Sequence, residues 1–348
     1  QVFAEACDLA DPASRLVPSA YATVGRTTVT PAIVPLDDTG AFCLYQNARM
    51  HLTVDVDGYF TPLATTAGAA QYYPMEQARL SNTLFNGYCS PDVGCVGPGR
   101  VPTGRRVTYS VATSLQPVAI VADVITAQTP AAGFLAADVC SNLGGNLAMY
   151  ANVNFDDASV ISSLAVIRAT SDATVAKFCT YASTARHELI DTHGMFAAPS
   201  ADGLGFTDSD DTRLADTREC WTDSATATEQ CGIRRVGGEI MHLTAPEGAK
   251  VVAVELTTIS PSTAGWVSAG TCPSMETQPV AWSNAVYRAG TTGSGLAFVP
   301  VGDDGTFCVS TSADSHVVVD LVGVFSADSE SGYLPRSPVR VLDTRRTN

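Results

Sequence analysis

A histidine and an aspartate occur three times in this sequence at one fixed spacing. In each copy the histidine lies eight residues after the cysteine of a Phe-Cys dipeptide, and the aspartate lies four residues after the histidine. The copies are His51 with Asp55, His187 with Asp191, and His316 with Asp320. Residues four apart on a β-strand share one face of the sheet. Each pair therefore has the groups of a proton shuttle or of half a metal site.

The neighbours of these pairs argue against such chemistry. The residue midway between histidine and aspartate is Thr53, Leu189 or Val318, so the shared face is not uniformly polar. The chain has five histidines in total, which leaves little room for a metalloenzyme. We interpret the pairs as a structural motif of a sequence repeat, in which an arginine or backbone amides hold the aspartate.

A second recurring segment reads Arg-Leu-x-Asp-Thr-Arg. It occurs at 213–218, at 340–345 with Val for Leu, and in a degenerate form at 79–84. Paired guanidinium groups of this kind can bind an anion. In the degenerate copy, however, Asn82 and Leu84 replace the aspartate and the last arginine. The pattern therefore favours an ion pair at a strand end over a binding site.

Signatures of catalysis are absent from the sequence, which has no Gly-x-Ser-x-Gly, His-Glu-x-x-His, Walker or dinucleotide-binding motif. Asp208, Asp210 and Asp211 resemble part of a calcium loop but lack its glycine and its closing glutamate. His193 has no counterpart in the other two copies, so a role particular to its own copy stays open. We predict that the protein is not an enzyme and has no catalytic residue, metal or cofactor.

Ten cysteines without a Cys-x-x-Cys spacing predict five disulfides and an oxidising, extracellular location. Each Phe-Cys dipeptide has another cysteine 36 to 39 residues upstream, and the remaining four cysteines fall into two short intervals. The predicted pairs are Cys7 with Cys43, Cys140 with Cys179, Cys272 with Cys308, Cys89 with Cys95, and Cys220 with Cys231.

The spacing of these markers sets the length of one repeat. The Phe-Cys dipeptides are 136 and 129 residues apart, and the arginines that open the second segment are 134 and 127 residues apart. One repeat is therefore the size of a domain. The predicted segments are the rear part of a β repeat domain at 1–62, complete domains at 72–197 and 206–326, and a tail at 327–348.

Short apolar runs rich in Val, Thr and aromatic residues predict β-strands, for example at 118–126, 251–258 and 316–325. Turn sequences such as Gly-Asp-Asp-Gly at 302–305 separate them. No segment has the apolar periodicity of a long helix. The predicted fold is all-β, with tandem disulfide-stapled β-sandwich-like repeat domains of which the first is incomplete.

Charge argues against a nucleic-acid partner, and hydropathy argues against a membrane-spanning helix. The chain has 20 basic and 35 acidic residues, a formal net charge of −15 that disfavours binding to nucleic acid. No apolar run approaches the roughly 18 residues that a membrane-spanning helix needs. We therefore expect no nucleic acid and no membrane span.

The motifs together resemble the repeats of secreted, surface-associated β proteins of actinobacteria. The resemblance lies in Arg-Val-Leu-Asp-Thr-Arg at 340–345, Gly-Trp-Val at 265–267, Phe-Cys at 307–308 and His-Val-Val-Val-Asp-x-x-Gly-x-Phe at 316–325. It extends over nearly the whole chain. The resemblance implies a surface location and modular β structure, with no catalytic activity.

The ends of the chain suggest how it functions. Gln1 is not an initiator methionine and no signal peptide is present, so we expect a processed chain that begins within one repeat and ends at the start of another. We predict a non-enzymatic extracellular structural protein, a subunit of a surface fibre or filament assembled as a head-to-tail homopolymer. A strand donated to the incomplete domain of a neighbour would form the contact. The candidate assembly strand consists of Pro338, Val339, Arg340, Val341, Leu342, Asp343, Thr344 and Arg345.

Two alternatives stay open at this stage. The tail could fold back onto the incomplete domain of its own chain. The protein could also be a monomeric cell-surface adhesin or carbohydrate-binding module that holds a cell-wall glycan. Glycan binding requires exposed aromatic rings, and loop-like segments contain Tyr72, Tyr73, Phe85, Tyr88 and Trp221.

Overall fold

The computed structural model describes residues 1–7, 17–143, 150–157, 159–277, 280 and 282–346, with the backbone alone for 210 and 211. Its contacts divide the chain into two compact units. Unit 1 combines Gln1–Met50 with Asp208–Val324, and unit 2 combines His51–Thr207 with Phe325–Asn348. Each unit thus joins two distant segments, and the repeat boundaries expected from the marker spacing stay a prediction. Residues 347 and 348 of the predicted tail lie outside the described residues.

Almost all of the regular structure consists of strands, so the predicted all-β, disulfide-linked fold is confirmed. The strands are, in chain order, β1 (Val2–Ala6), β2 (Phe42–Gln46), β3 (Thr53–Pro62), β4 (Gln71–Asn82), β5 (Tyr88–Ser90), β6 (Gly94–Val96), β7 (Arg106–Ala112), β8 (Ala119–Ala127), β9 (Gly133–Asp138), β10 (Val153–Phe155), β11 (Ile161–Arg168), β12 (Thr170–Ser171), β13 (Val175–Ala182), β14 (His187–Ala197), β15 (Gly205–Asp216), β16 (Cys220–Asp223), β17 (Thr228–Cys231), β18 (Ile240–Thr244), β19 (Val251–Ile259), β20 (Gly265–Gly270), β21 (Ala285–Tyr287), β22 (Gly293–Pro300), β23 (Thr306–Thr311), β24 (His316–Ser326) and β25 (Ser331–Asp343).

Helical structure is confined to short segments among these residues. A 3-10 turn covers Cys140–Asn142, and helix α1 covers Cys272–Glu276. Both begin at a cysteine that forms a disulfide. In the described part of the chain no helix has the length and apolar character to cross a membrane.

Unit 2 contains a β-sandwich. One sheet has the order β10-β9-β13-β7-β5-β6, with β12 paired to β13, and a second has the order β11-β8-β14-β4. Both sheets contribute to one buried apolar cluster, for example through Tyr109 and Phe178 from the first and Ile120 and Ile190 from the second. Burial of these large side chains is the main stabilising contribution to such a core.

The burial patterns of two strands show how the sandwich forms. β7 alternates between core residues such as Val107 and Val111 and more exposed ones, as expected for a strand with one face toward solvent. In contrast, every residue of β8 is buried. This strand lies between β11 and β14, so the acid in its middle, Asp123, is held inside the protein.

Unit 1 has a similar arrangement. One sheet has the order β18-β23-β20-β21, and another contains the consecutive strands β22-β19-β24-β15. Their inner residues form a second buried cluster, which includes Val254, Phe307 and Val319. The remaining strands of unit 1 pair antiparallel as β1 with β2 and as β16 with β17.

Candidate strand-docking site

The C-terminal strand β25 pairs antiparallel with β3. The pairing begins at Ser331 opposite Pro62 and ends at Asp343 opposite Thr53, with two register shifts between. Within the described residues, β25 is the strand neighbour of β3, and no strand lies along its other edge. The predicted assembly strand 338–345 therefore lies against β3, which contains Asp55 and begins two residues after His51.

A two-point ion pair joins the two strands. Arg340 donates from Nε to Oδ1 and from Nη2 to Oδ2 of Asp55, both at 2.9 Å. A bidentate guanidinium and carboxylate contact of this kind fixes geometry as well as adding energy. It also sets the register of β25, because Arg340 lies directly opposite Asp55.

The other two motif aspartates have the same kind of partner. Arg79 donates to Asp191 at 2.6 and 2.8 Å. Arg213 donates to Asp320 at 2.8 and 3.2 Å. The structure thus joins each repeated aspartate to the first arginine of an Arg-Leu-x-Asp-Thr-Arg segment.

The repeated histidines contact the threonine of the same segments. The distances from histidine Nδ1 to threonine Oγ1 are 3.3 Å for His187 and Thr83, 3.1 Å for His316 and Thr217, and 3.4 Å for His51 and Thr344. Each contact lies beside a backbone hydrogen bond that the threonine hydroxyl accepts, as at Leu52 N to Thr344 Oγ1, 2.8 Å. The histidine and the aspartate of each pair therefore hold separate points of the neighbouring strand.

The aspartate within the segment forms a local clamp. Asp343 accepts from the backbone amide, Nε and Nη2 of Arg345, and this contact holds the pKa of Asp343 well below its usual range. Asp216 and Arg218 form the same clamp. In the degenerate segment Asn82 still accepts from the backbone amide of Leu84 at 3.0 Å. The hydrogen bond from the side chain at the fourth segment position to the backbone amide is therefore kept in the degenerate segment, although the ion pair with the last arginine is lost.

Six aromatic rings form a cluster in unit 2, which we call the aromatic cluster. Three belong to the repeated Gly-x-Phe motif, and their ring centroids form a triangle with sides of 6.1 to 6.2 Å. The other three lie seven residues before the first arginine of each segment. The members are Phe60, Phe196 and Phe325, with Tyr72, Phe206 and Tyr333.

The two trios of rings interlock in a regular way. Each phenylalanine of the triangle has a close neighbour from the second trio, at centroid distances of 4.2 Å for Phe60 and Phe206, 4.6 Å for Phe325 and Tyr72, and 4.7 Å for Phe196 and Tyr333. Aromatic pairs at these separations contribute beyond the area they bury. Because Tyr333 belongs to β25, docking of this strand completes the cluster.

The repeated glycine makes room for a tyrosine ring. A Cβ atom at Gly58 would overlap the phenol of Tyr333, and one at Gly194 would overlap the phenol of Tyr72. Tyr72 also donates from its hydroxyl to the carbonyl of His193 at 3.1 Å. The Gly-x-Phe motif therefore supplies one ring to the aromatic cluster and a space for another.

His193, which occurs in one copy of the motif, has a polar network of its own. Its Nε2 lies 2.7 Å from Asp123 Oδ2, and its Nδ1 lies 3.0 Å from Gln77 Nε2. The amide nitrogen can only donate, so the ring proton is shared with Asp123. Burial raises the pKa of Asp123 to about 6. His193 and Asp123 are both fully buried, which closes the pair to substrates.

Two further buried acids are held in different ways. Glu188 accepts from Tyr109 at 2.5 Å, from Thr180 at 2.8 Å and from Arg186 at 2.6 Å, deep in unit 2. In unit 1, burial raises the pKa of Glu255 to about 8, and the nearby charge of Asp320 adds to this effect. Sequence reasoning missed Glu255 and Asp123. An acid in the middle of a mostly apolar strand is the sequence signal that identifies them.

The five disulfides join Cys7 to Cys43, Cys89 to Cys95, Cys140 to Cys179, Cys220 to Cys231, and Cys272 to Cys308.

Two groups of residues have the arrangement of metal ligands: His242 with Cys272 and Cys308, and Glu229 with Cys220 and Cys231. Their cysteines are oxidised, and a metal requires the thiolate. These groups are therefore not metal centres in the disulfide-bonded protein.

The aromatic residues considered for glycan binding are mostly buried. Tyr72, Tyr73, Tyr88 and Trp221 are at most 8% exposed, whereas Phe85 is 77% exposed. The expectation that they lie in loops is wrong for four of the five, since the two adjacent tyrosines belong to β4, Tyr88 to β5 and Trp221 to β16. Their rings serve the cores and the aromatic cluster.

No protein-family model matches the sequence, and no curated protein matches it. Among solved structures, the chain is similar to the crystal structure of the ANXUR1 extracellular domain from Arabidopsis thaliana. The similarity has 8% identity and a TM-score of 0.20, and it covers 73% of this chain and 98% of that chain. A likeness of this size carries no argument about fold or function.

Proposed function

We propose that the chain is an extracellular, non-enzymatic structural protein whose copies join head to tail by exchange of the C-terminal strand. One observation carries this proposal: β25 is the strand neighbour of β3, although 285 residues separate Arg340 from its partner Asp55. The ion pair, the backbone ladder and the ring of Tyr333 hold β25 through contacts that a β25 from another copy makes equally well.

The connection before β25 favours exchange. β24 ends at Ser326 and β25 begins at Ser331, so a short link joins the docked strand to the rest of the chain. Exchange of a terminal element between identical copies costs little, because the same contacts form in either arrangement. Exchange in one direction from each copy to the next gives an open filament unless rotation closes a ring.

The chemistry of the chain fits an extracellular, structural role. Five disulfides persist in oxidising environments, and no cysteine in the described residues is free. The residues that had the types for catalysis, such as His187 and Asp191, are engaged in contacts between strands. The resemblance to actinobacterial surface repeats supports the same location. Glycan binding has weaker support, because Phe85 alone is well exposed among the five rings considered for it.

A cysteine pair across β3 and β25 tests the proposal. Val56 and Val339 lie opposite each other, so Val56→Cys with Val339→Cys forms a disulfide wherever the two strands dock. If copies exchange β25, non-reducing electrophoresis of concentrated protein gives a ladder of covalent multimers. A single monomeric band, with the cross-link within one chain, would refute exchange. Each single cysteine variant is the matched control for random oxidation.

Removal of the tail gives a second, independent test. Deletion of residues 333–348 should abolish head-to-tail assembly, as seen by negative-stain microscopy of the purified protein. Arg346→Ala is a suitable control, because this side chain is 76% exposed and lies outside the candidate assembly strand 338–345. If the deleted protein still forms the polymers of the full chain, strand exchange is wrong.

A further inference from the structure

The second edge of β3 differs from the same edge of its counterparts. The sequence motif makes β3, β14 and β24 equivalent strands. In their sheets β14 lies between β4 and β8, and β24 lies between β15 and β19. β3 pairs with β25 on one side, and in the described part of the chain no strand lies on the other. Unpaired N–H and C=O groups along such an edge are a template for a further strand.

The two paired strands β3 and β25 have exposed apolar side chains. Tyr59, Val339 and Val341 are 39%, 56% and 54% exposed. By the marker spacing, Tyr59 corresponds to Met195, which is 3% exposed within the core cluster of unit 2. Val341 likewise corresponds to Leu80, which packs against that cluster. The residues that would line a core are thus present on β3 and β25. They remain partly exposed, although the guanidinium of Arg336 lies over the ring of Tyr59, 5.5 Å from its centroid.

The charge along this edge of β3 indicates which charged residue an added strand must contain. In unit 2, Asp123 of β8 pairs with His193 of β14, so the added strand carries the acid and the motif strand carries the base. On β3 the position of His193 is occupied by Asp57. The acid is then already on the motif strand, and the complementary strand must supply the base.

The surroundings of Asp57 strengthen this requirement. The charged groups that act on it are Asp55, Asp138 and Arg168, and burial together with the two acids raises the pKa of Asp57 to about 6. All three groups already have close partners: Arg168 pairs with Asp138 at 2.7 Å, and Asp55 pairs with Arg340. Among the described residues, no ion pair is formed by Asp57 itself. A partly buried acid beside two others is stabilised by a cation.

We propose that the free edge of β3 accepts an antiparallel strand from a partner chain, with small apolar residues at alternate positions and a lysine or arginine facing Asp57. The occupant follows the pattern of β8 and β19, which lie at this edge of β14 and β24. Both strands are apolar except for threonines near their C-terminal ends and one central acid, Asp123 or Glu255. The added strand would extend the sheet beside β3, so that its apolar side chains lie next to Tyr59. The free edge lies on the opposite side of β3 from β25. Binding of a strand there is therefore independent of whether β25 is exchanged between copies.

A labelled peptide tests the proposal. The peptide copies residues 117–128 with the substitution Asp123→Lys and carries a fluorophore, and its binding to the full chain is followed by fluorescence anisotropy at pH 7. We expect it to bind at least tenfold more tightly than the peptide with the original Asp123. A third peptide with Val121→Pro should not bind, because proline removes a ladder hydrogen bond.

Charge reversal in the protein provides the decisive comparison. In Asp57→Lys the preference should invert, so that the peptide with Asp123 binds more tightly. In Asp57→Asn, which keeps the size of the side chain, the preference should vanish; circular dichroism establishes that both variants are folded. Equal binding of the acidic and basic peptides to the unmodified chain would overturn the proposal. The absence of binding would also overturn it. A dimer of the full chain that the basic peptide does not dissociate would do the same, because a second copy of the chain would then occupy this edge.

Discussion

Arg340 and Asp55 form an ion pair with two points of contact across β25 and β3, and their side chains remain 23% and 20% exposed. In the corresponding pair the two side chains differ in exposure: Asp191 is completely buried, whereas Arg79 is 28% exposed. The same two groups therefore meet in a more hydrated setting at the docked tail than inside unit 2.

The two ion pairs should respond differently to loss of the arginine. Arg79→Leu leaves a buried carboxylate without its main partner, which costs roughly 3 to 5 kcal/mol. Arg340→Leu leaves a carboxylate that water can reach, and we expect a loss of about 1 kcal/mol. Chemical denaturation with the disulfides intact measures both. Equal losses in the two variants would contradict this account of the motif.

The glycines beneath the tyrosine rings should not tolerate a methyl group. Gly194→Ala forces a Cβ into the phenol of Tyr72, and we expect a loss of about 1 to 3 kcal/mol in the free energy of unfolding. Gly97→Ala is the matched control, because a Cβ there meets nothing within 4 Å. Thermal unfolding compares the two variants, and an unchanged midpoint for Gly194→Ala would show that the ring does not need this space.

Glu255 should make stability depend on pH. Burial raises the pKa of Glu255 to about 8, while the unfolded chain has the ordinary value near 4.3. The folded state therefore holds a proton that the unfolded state releases. The contribution to stability is complete below about pH 4.3 and is lost as the pH rises toward 8, by up to roughly 1.4 kcal/mol per pH unit.

Substitution separates this effect from that of other acids. Glu255→Gln should be more stable than the unmodified chain at pH 8 and should flatten the pH dependence above 6. Burial also raises the pKa values of Asp57 and Asp123, but only to about 6, so their effects lie mainly at lower pH. The exposed Glu247, changed to Gln, is the control. Denaturation at several pH values checks the prediction, which fails if Glu255→Gln keeps the original slope between pH 6 and 8.

The disulfides should be reduced in two groups. Cys179 and Cys308 are fully buried, whereas three bridges have both cysteines exposed. The exposed bridges are Cys7 with Cys43, Cys89 with Cys95, and Cys220 with Cys231. Access limits the attack of a thiolate on a disulfide. Brief reduction followed by alkylation and peptide mass spectrometry should label the exposed three first. Early labelling of Cys179 or Cys308 would contradict the burial.

Local patterns in the sequence locate most strands. The run at 316–325 corresponds to β24, which ends at Ser326, and the run at 251–258 corresponds to β19, which ends at Ile259. Apolar alternation is a local property, so it can be recognised without knowledge of the fold. The tyrosines at 72 and 73 resemble a loop in the sequence, because their apolar neighbours are too few to show the period of a strand.

The partners of the motif are harder to identify. Marker spacing indicates that Asp55 needs an arginine, but the sequence does not decide whether Arg340 comes from the same chain or from a neighbour. That choice depends on loop length and concentration, which leave no local pattern. The participation of Tyr72, Phe206 and Tyr333 in the aromatic cluster is not predicted from the sequence for a simpler reason. These residues lie seven positions before the first arginine of each Arg-Leu-x-Asp-Thr-Arg segment, and so outside the repeated motif.

The aromatic cluster also constrains the order of folding. Its rings come from six strands, and the last two, Phe325 and Tyr333, lie near the C-terminus. During synthesis or export, the cluster therefore cannot close until almost the whole chain has emerged. Until then the rings of Phe60 and Tyr72 remain unpacked. In such incompletely folded chains, exposed apolar surface and unpaired strand edges promote aggregation.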